Sequence, residues 1–462
     1  MSFNLPSLRE GQRRVVIVGG GFAGLKVAGS LAGRGVQVVL VDRNNYHQFP
    51  PLIYQIASAG LEPSSIAFPF RKLFQGKRDV YFRKAEVRHI FHDKKLIQTS
   101  IGKLPYDYLV LAAGATTNYF GNAAIAEESI PMKTLSEAMG LRNALLDNFE
   151  RAVTCSTEQE RQELLNIVIV GGGATGVEIA GAIAEMKRHI IPKDYPELDV
   201  NHLNIILLEA SDRLLSAMHT DNSAKVREYL EGLGVEVRTG AFVTGYEEHQ
   251  VRLRDGTSIP TRTFIWVSGI TANQIAGVEG DFLGRGARIK VDAYNRVVGL
   301  DGVFAIGDQC LMEGADPAYP QGHPQVAQVA IQQGVLLAKN ISRLVVGEQL
   351  VAFRYKDLGS MATVGRNKAV AELPRGVRFR GWLAWVVWLV VHLRSILGVR
   401  NKLAVLLNWI WNYFSYGQSL RLIIYAQKAK EVRNREALLA STHWGHDLRE
   451  EGLEHIDAGH SS

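Results

Sequence analysis

An α/β fold with two Rossmann-like dinucleotide-binding domains and an amphipathic C-terminal region is predicted by three features of the sequence. A glycine loop, VVIVGGGFAGL with Gly19, Gly21 and Gly24, follows a hydrophobic strand near the N-terminus. A second loop of the same design, IVIVGGGATGV with Gly171, Gly173 and Gly176, recurs about 150 residues later. The last hundred residues then change character, with an apolar run, clustered tryptophans and an excess of basic side chains.

Each loop stands between a strand and a helix. Glycines there let the backbone turn tightly and approach a pyrophosphate, which rests on helix N–H groups and the positive end of the helix dipole. One such loop is a weak signal; two in the same context point to two dinucleotide sites. The strand VQVVLVD ends in Asp42, 18 residues beyond Gly24, close to the spacing of about 20 for a ribose-binding acid. The strand LNIILLE ends in Glu209, 33 residues beyond Gly176, the excess lying in EMKRHIIPKDYPELDVNH. An acid at this point accepts from a 2′-hydroxyl and repels a 2′-phosphate, which favours NADH over NADPH. A solvated strand end is the plain alternative for either acid.

Further along, NNYHQFPPLIYQIASAG is a Pro-containing loop running into an apolar stretch. YDYLVLAAGATTNYF and RTFIWVSGIT each read as a strand ending in a small-residue turn, one copy per nucleotide domain. Residues 142–165 are polar and helical. LDGVFAIGDQ is a buried strand ending in Gly307-Asp308, where an Asp can bond a ribityl hydroxyl or the pyrophosphate region of a flavin dinucleotide. The first domain is therefore read as discontinuous. The expected divisions are 1–130 and 286–345 for its two parts, 131–165 for a connector and 166–285 for the second domain. Residues 346–436 are assigned to membrane association and 437–462 to a polar tail. After two prolines, AQVAIQQGVLLAKNI forms a helix whose N-terminus can stabilise negative charge on a reduced flavin.

Composition narrows the class. With 462 residues and 47% hydrophobic content the chain has room for two to three domains with buried cores. The cysteines, Cys155 and Cys310, have no C-x-x-C spacing, so neither a disulfide framework nor a metal site is encoded. The N-terminus lacks the apolar core of a secretory signal. Net charge is +6, and no nucleic-acid partner is expected.

The C-terminal region carries the charge asymmetry. WLAWVVWLVVHL, 382–393, is too short to span a bilayer, which needs about 20 residues. Leu403, Leu406, Leu407, Ile410, Trp411 and Phe414 form one helical stripe, with Asn401, Asn408, Asn412 and Ser415 on the other side. Five of seven tryptophans lie between Trp382 and Trp411, and residues 375–435 hold eleven Lys or Arg against one acid, Glu431. This pattern describes a helix lying in the interface of an anionic membrane. A dimer interface or core helix is the alternative.

The combination of GGGFAGL with Asp42, YHQFPPLIYQIA, YDYLVLAAGA, GGGATGVEIAG, FAIGD, AQVAIQQG and the amphipathic C-terminus resembles the type II NADH:quinone oxidoreductases over nearly the whole chain. The resemblance implies two-electron transfer from NADH through FAD to a membrane quinone, menaquinone or ubiquinone, without proton pumping. It implies that Gly19, Gly21, Gly24, Asp42 and Asp308 bind FAD, and that Gly171, Gly173, Gly176 and Glu209 bind NADH. Glu178, in the first turn of the second loop's helix, faces the nicotinamide and flavin by the same resemblance, unless it merely suits the helix dipole. Gln328 matches the quinone-headgroup position, with Ile331 and Gln332 beside it; otherwise the amides are helix-surface groups. A homodimer, attached peripherally to the cytoplasmic face of the cell inner membrane, is implied as well. Two alternatives stay open: an enzyme like sulfide:quinone oxidoreductases, with Cys310 near the flavin, and a membrane-bound flavin redox sensor. A disulfide reductase is excluded, because residues 44–70 hold no cysteine.

Overall fold

The computed structural model describes residues 3–415 and 420–425; the expected tail, 437–462, lies outside the described residues. Residues 422–462 form a separate unit, of which 422–425 are described and carry no regular secondary structure.

The β-branched runs RVVIV and QVVLVD are buried along nearly their whole length, as strands covered on both faces must be. They pair in parallel as Arg14–Val18 and Gln37–Asp42 at the centre of a five-stranded sheet. Val80–Lys84 lies outside Gln37–Asp42, and Tyr108–Leu111 lies on the other side. The remaining edge is Val303–Ala305, which pairs with Tyr108–Leu111 although the whole second sheet intervenes in the chain. The second sheet repeats the plan around Asn166–Val170 and Asn204–Glu209. Val235–Thr239 extends it on one side, and Thr263–Trp266 with Ile130–Pro131 on the other.

Each parallel sheet has an antiparallel meander as companion: 87–105 for the first and 243–260 for the second. Ala115–Thr117 and Ile270–Ala272 pair antiparallel and tie the two halves together. The segment expected as a connector contributes Ile130–Pro131 to the second sheet. It then forms helices Leu135–Thr154 and Glu158–Leu165. Thr134 and Glu137 form a reciprocal capping box that fixes the start of the longer helix.

The C-terminal region is a three-stranded antiparallel sheet, 360–380, followed by helices Gly381–Ser395 and Val399–Ser415. Among the described residues no helix is long and apolar enough to cross a membrane. The last helix is polarised outward. Leu403, Leu407, Ile410, Trp411 and Phe414 are exposed, the last two at 67% and 79%. Its amides face the protein instead. Asn401 Nδ2 donates to the Ala67 carbonyl at 3.0 Å, Asn412 Nδ2 to the Gly60 carbonyl at 3.3 Å, and Trp409 Nε1 to Gln55 Oε1 at 2.8 Å.

Candidate active site

The first glycine loop has no space for a side chain at Gly19 or Gly24. Gly19 has φ +100°, and a Cβ there would run into the Ala112 carbonyl. A Cβ at Gly24 would overlap the Gly19 carbonyl oxygen, while Gly21 opens onto free space where a phosphate can approach. Asp42 braces this loop: Oδ2 accepts from the Gly20 N–H at 2.6 Å and Oδ1 from the Asn44 N–H at 2.7 Å. Burial raises the Asp42 carboxyl above its ordinary range despite these bonds. From behind, His47 Nδ1–H donates to the Gly20 carbonyl at 3.0 Å. Burial lowers the His47 pKa and favours the neutral ring.

The second loop is built the same way. Gly171 has φ +119° and packs against the Val267–Ser268 backbone, and a Cβ at Gly176 would overlap the Gly171 carbonyl oxygen. Gly173 is exposed and open, as Gly21 is in the first loop. Glu209 Oε2 accepts from the Gly172 N–H at 2.5 Å, and Oε1 from the Ser211 N–H and hydroxyl, both at 2.7 Å. The extra residues between loop and acid form the long helix Ala174–His189 and the short helix Ile191–Asp194, so the longer spacing leaves the acid in place.

The two halves meet at one cavity of about 600 Å³. The first loop, Asp42, Pro50 and Pro51 line one part of it, and Ala174, Thr175 and Glu178 of the second domain line another. Asp308 enters from the end of the strand Val303–Ala305, with Lys133 Nζ 3.7 Å from its carboxylate. Ala327 and Ala330 bring the first turn of the helix Ala327–Val345 to the wall, and His392 reaches in from the C-terminal helix Gly381–Ser395.

Glu178 is the most perturbed acid here. It is half-buried and lines the cavity. Burial pushes its pKa up to about 8, although the Thr363 backbone N–H donates to it and opposes the shift. Tyr54 lies close by and is buried; burial first, and Glu178 second, hold its phenol well above the ordinary range. Gln55 Nε2 donates to the Tyr54 oxygen at 2.9 Å while Gln55 Oε1 accepts from Trp409. The last helix is thereby wired to the residues beside Glu178.

The AQVAIQQG helix divides its amides. Gln328 is half-buried next to the lining residues Ala327 and Ala330, but does not itself line the cavity. Ile331 is half-buried. Gln332 is engaged with the Lys356 peptide, Nε2 donating to its carbonyl at 2.9 Å and Oε1 accepting from its N–H at 3.0 Å. Gln333, which the sequence reading passed over, is buried and accepts from the Gly307 N–H at 2.7 Å. Gln309 is buried too; its Oε1 accepts from Ala113 N–H and its Nε2 donates to the Asn273 carbonyl, both at 2.6 Å. These two glutamines fix the cavity walls, and nothing in the local pattern separates them from surface amides. His392 was missed because its reach into the cavity depends on packing between distant segments. Neither cysteine lines the cavity. Cys310 is buried, receives bonds from Asn295 at 3.4 Å and Gln333 at 3.5 Å, and has its thiol pushed up to about 11 by burial.

The residues fit a flavin dinucleotide. An open Gly21 stands at a helix N-terminus, a carboxylate marks the end of the next strand, and a second acid, Asp308, stands across the cavity. Comparison with known proteins agrees. The pyridine nucleotide-disulphide oxidoreductase family profile matches residues 13–334, and that of the NDH2 C-terminal domain matches 358–416. A type II NADH:quinone oxidoreductase of Mycobacterium tuberculosis is 34% identical over 423 residues, covering 87% of this chain and 89% of that protein. The type II NADH:quinone oxidoreductase of Haemophilus influenzae is 29% identical, over 78% of this chain and 87% of that one. In fold, the chain is similar to NDH2 from Plasmodium falciparum in complex with NADH, with a TM-score of 0.82 at 20% identity, covering 90% of this chain and 100% of that one. The sulfide:quinone oxidoreductase of Aquifex aeolicus shares the fold at a TM-score of 0.68 and 16% identity. On the strength of the sequence relatives, the chain belongs to the type II NADH:quinone oxidoreductase family.

Proposed function

We propose that this protein oxidises NADH and delivers the two electrons, by way of bound FAD, to a quinone approaching from a membrane surface. The observation that carries this reading is the shared cavity, in which the first glycine loop, Asp308 and the second domain's Glu178 converge. FAD held there supplies the exchange between a two-electron donor and the quinone. Gly19 and Gly24 close the turn so that the open Gly21 and the helix N-terminus meet its pyrophosphate, Asp42 takes a ribose and Asp308 the ribityl side. Gly171, Gly173, Gly176 and Glu209 hold NADH in the same manner, and the charge of Glu209 disfavours a 2′-phosphate.

Glu178 is a proton-holding group. With its pKa at about 8 it carries a proton at neutral pH, so it presents a neutral hydrogen-bond donor to the cavity. Gln328 orients the quinone headgroup from the helix next to the cavity wall, with Ile331 as an apolar neighbour. Gln332 supports this helix through Lys356.

The exposed stripe Leu403 to Phe414 supports a peripheral attachment. An amphipathic helix whose amides face the protein and whose apolar side faces outward suits a lipid interface. Lys and Arg around it match anionic headgroups. The cytoplasmic face is the side on which NADH is available. Sulfide chemistry is disfavoured, since no cysteine lines the cavity.

The test is stopped-flow on the full-length, FAD-containing protein. NADH should bleach the flavin absorbance, and a short-chain quinone should restore it within the turnover time. Bleaching without restoration by quinone would reject the reading.

A further inference from the structure

His392 stands apart from the residues that bind the dinucleotides, yet it lines their cavity. Its ring is held on three sides. Nδ1 lies 2.7 Å from the Trp388 carbonyl, which can only accept, so Nδ1 carries the hydrogen. The ring stacks on buried Trp388, with centroids 4.1 Å apart and planes at 26°, and Phe49 meets it edge-on at 6.2 Å. Nε2 has no protein partner among the described residues. The imidazole is therefore locked in one orientation with one nitrogen free.

The helix that carries His392 also carries Trp382, Leu383 and Val390, which are exposed at 55–60%. One element thus links the apolar outer surface to the cofactor cavity. On the proposed function, a quinone arriving along that surface would meet this helix on its way to the cavity.

We propose that His392 is a proton-transfer residue of the quinone half-reaction, handing a proton from Nε2 to a quinone oxygen. This rests on the NADH:quinone reading above. The balance is NADH + H⁺ + quinone → NAD⁺ + quinol. NADH supplies two electrons and one proton as a hydride equivalent. The second proton comes from the imidazolium: the Nε2–H bond breaks, an O–H bond forms on the quinone, and solvent reprotonates the ring. Burial lowers the His392 pKa, so the resting ring is neutral; Nε2 takes a proton from solvent and passes it on as the quinone is reduced. The apolar neighbours Trp388 and Phe49 offer no competing acceptor on their faces of the ring.

The experiment compares the wild-type holoenzyme with His392→Asn, whose amide can keep the bond to the Trp388 carbonyl but offers no group in place of Nε2. Flavin reduction by NADH and turnover with ferricyanide, which takes electrons without protons, should match wild type. Reoxidation by a short-chain quinone should slow roughly hundredfold, within the range of general acid catalysis. The solvent deuterium isotope effect on that phase should rise. Reoxidation at the wild-type rate with an unchanged isotope effect would overturn the proposal, as would equal slowing with ferricyanide, which marks a structural role. Should the Asn variant lose FAD, His392→Gln is read by the same criteria. A wild-type protein that reduces ferricyanide but no quinone would instead refute the underlying reading.

Discussion

Replacing Trp411 and Phe414 together with serine tests whether the outward stripe binds lipid. The two side chains are 67% and 79% exposed on the last helix. Aromatic side chains present about 150–250 Å² each, so the pair offers on the order of 300 Å² of apolar surface. At about 25 cal/mol per Å² its complete removal from water is worth roughly 7 kcal/mol. An interfacial helix buries only the side turned to the acyl boundary, so about half of this is realised. The double variant should therefore bind vesicles containing anionic lipid two to three orders of magnitude more weakly, at about 1.4 kcal/mol per tenfold. Sedimentation with such vesicles measures this directly. High salt should weaken wild-type binding without abolishing it, because the apolar contribution survives screening. If the variant sedimented like wild type while its oligomeric state changed in detergent-free buffer, the stripe would be a protein interface.

The glycine loops give a paired prediction. Gly24→Ala should yield protein without FAD, whereas Gly176→Ala should keep its flavin spectrum and raise KM for NADH by ten- to hundredfold, since overpacking costs about 1–3 kcal/mol. Glu209→Gln should raise the NADPH-to-NADH ratio of kcat/KM roughly ten- to hundredfold; an unchanged ratio would remove Glu209 from the ribose site. Gln328→Ala should slow reoxidation by quinone while sparing reduction by NADH, as read by stopped flow. For Glu178 the expectation concerns pH. In the unfolded chain it ionises in the ordinary carboxylate range, whereas in the fold it keeps its proton up to about pH 8. Stability is therefore lost progressively as pH rises from that range to about 8, then stays level. Denaturation midpoints of Glu178→Gln should lack this component of the slope, and identical pH profiles for both proteins would refute the assignment.

Local pattern made the nucleotide-binding frame legible. Apolar runs ending in Gly19 and Gly171 became central strands, and Asp42 and Glu209 stand where strand length and loop spacing put them. The outward stripe from Leu403 to Phe414 was legible too, because helical periodicity alone places those residues on one face. What stayed hidden depends on partners far apart in the chain. Gln48 Oε1 accepts from the Leu135 N–H, 87 residues away, and Asn412 reaches Gly60 across 352 residues. Ile130–Pro131 is a strand only because Thr263–Trp266 lies beside it, so its two residues carry no periodic signal of their own. The helix amides show the same limit. Gln328, Gln332 and Gln333 look alike in sequence, yet Gln333 is buried under Gly307 and Gln332 is engaged with Lys356.

The polarity of the C-terminal helix ties attachment to chemistry. The inner face of this helix docks through both apolar contacts and polar bonds: Val405 is fully buried and Trp409 packs against the core. Three of those bonds end on one segment, Trp409 on Gln55, Asn412 on Gly60 and Asn401 on Ala67, while Arg366 donates to the Asn412 and Tyr413 carbonyls. Gln55 also holds the phenol of Tyr54, whose environment includes Glu178. The path from the outward stripe to Glu178 thus runs through a tryptophan, a glutamine and a tyrosine. Lipid that takes up the outer face removes the cost of exposing it and favours the docked helix, by linkage with any ligand that binds only the folded form. The same docking keeps Gln55 and Tyr54 in register beside Glu178. On the proposed attachment, membrane binding and the geometry around Glu178 form one equilibrium, so a variant that weakens docking through Trp409 or Asn412 should disturb both.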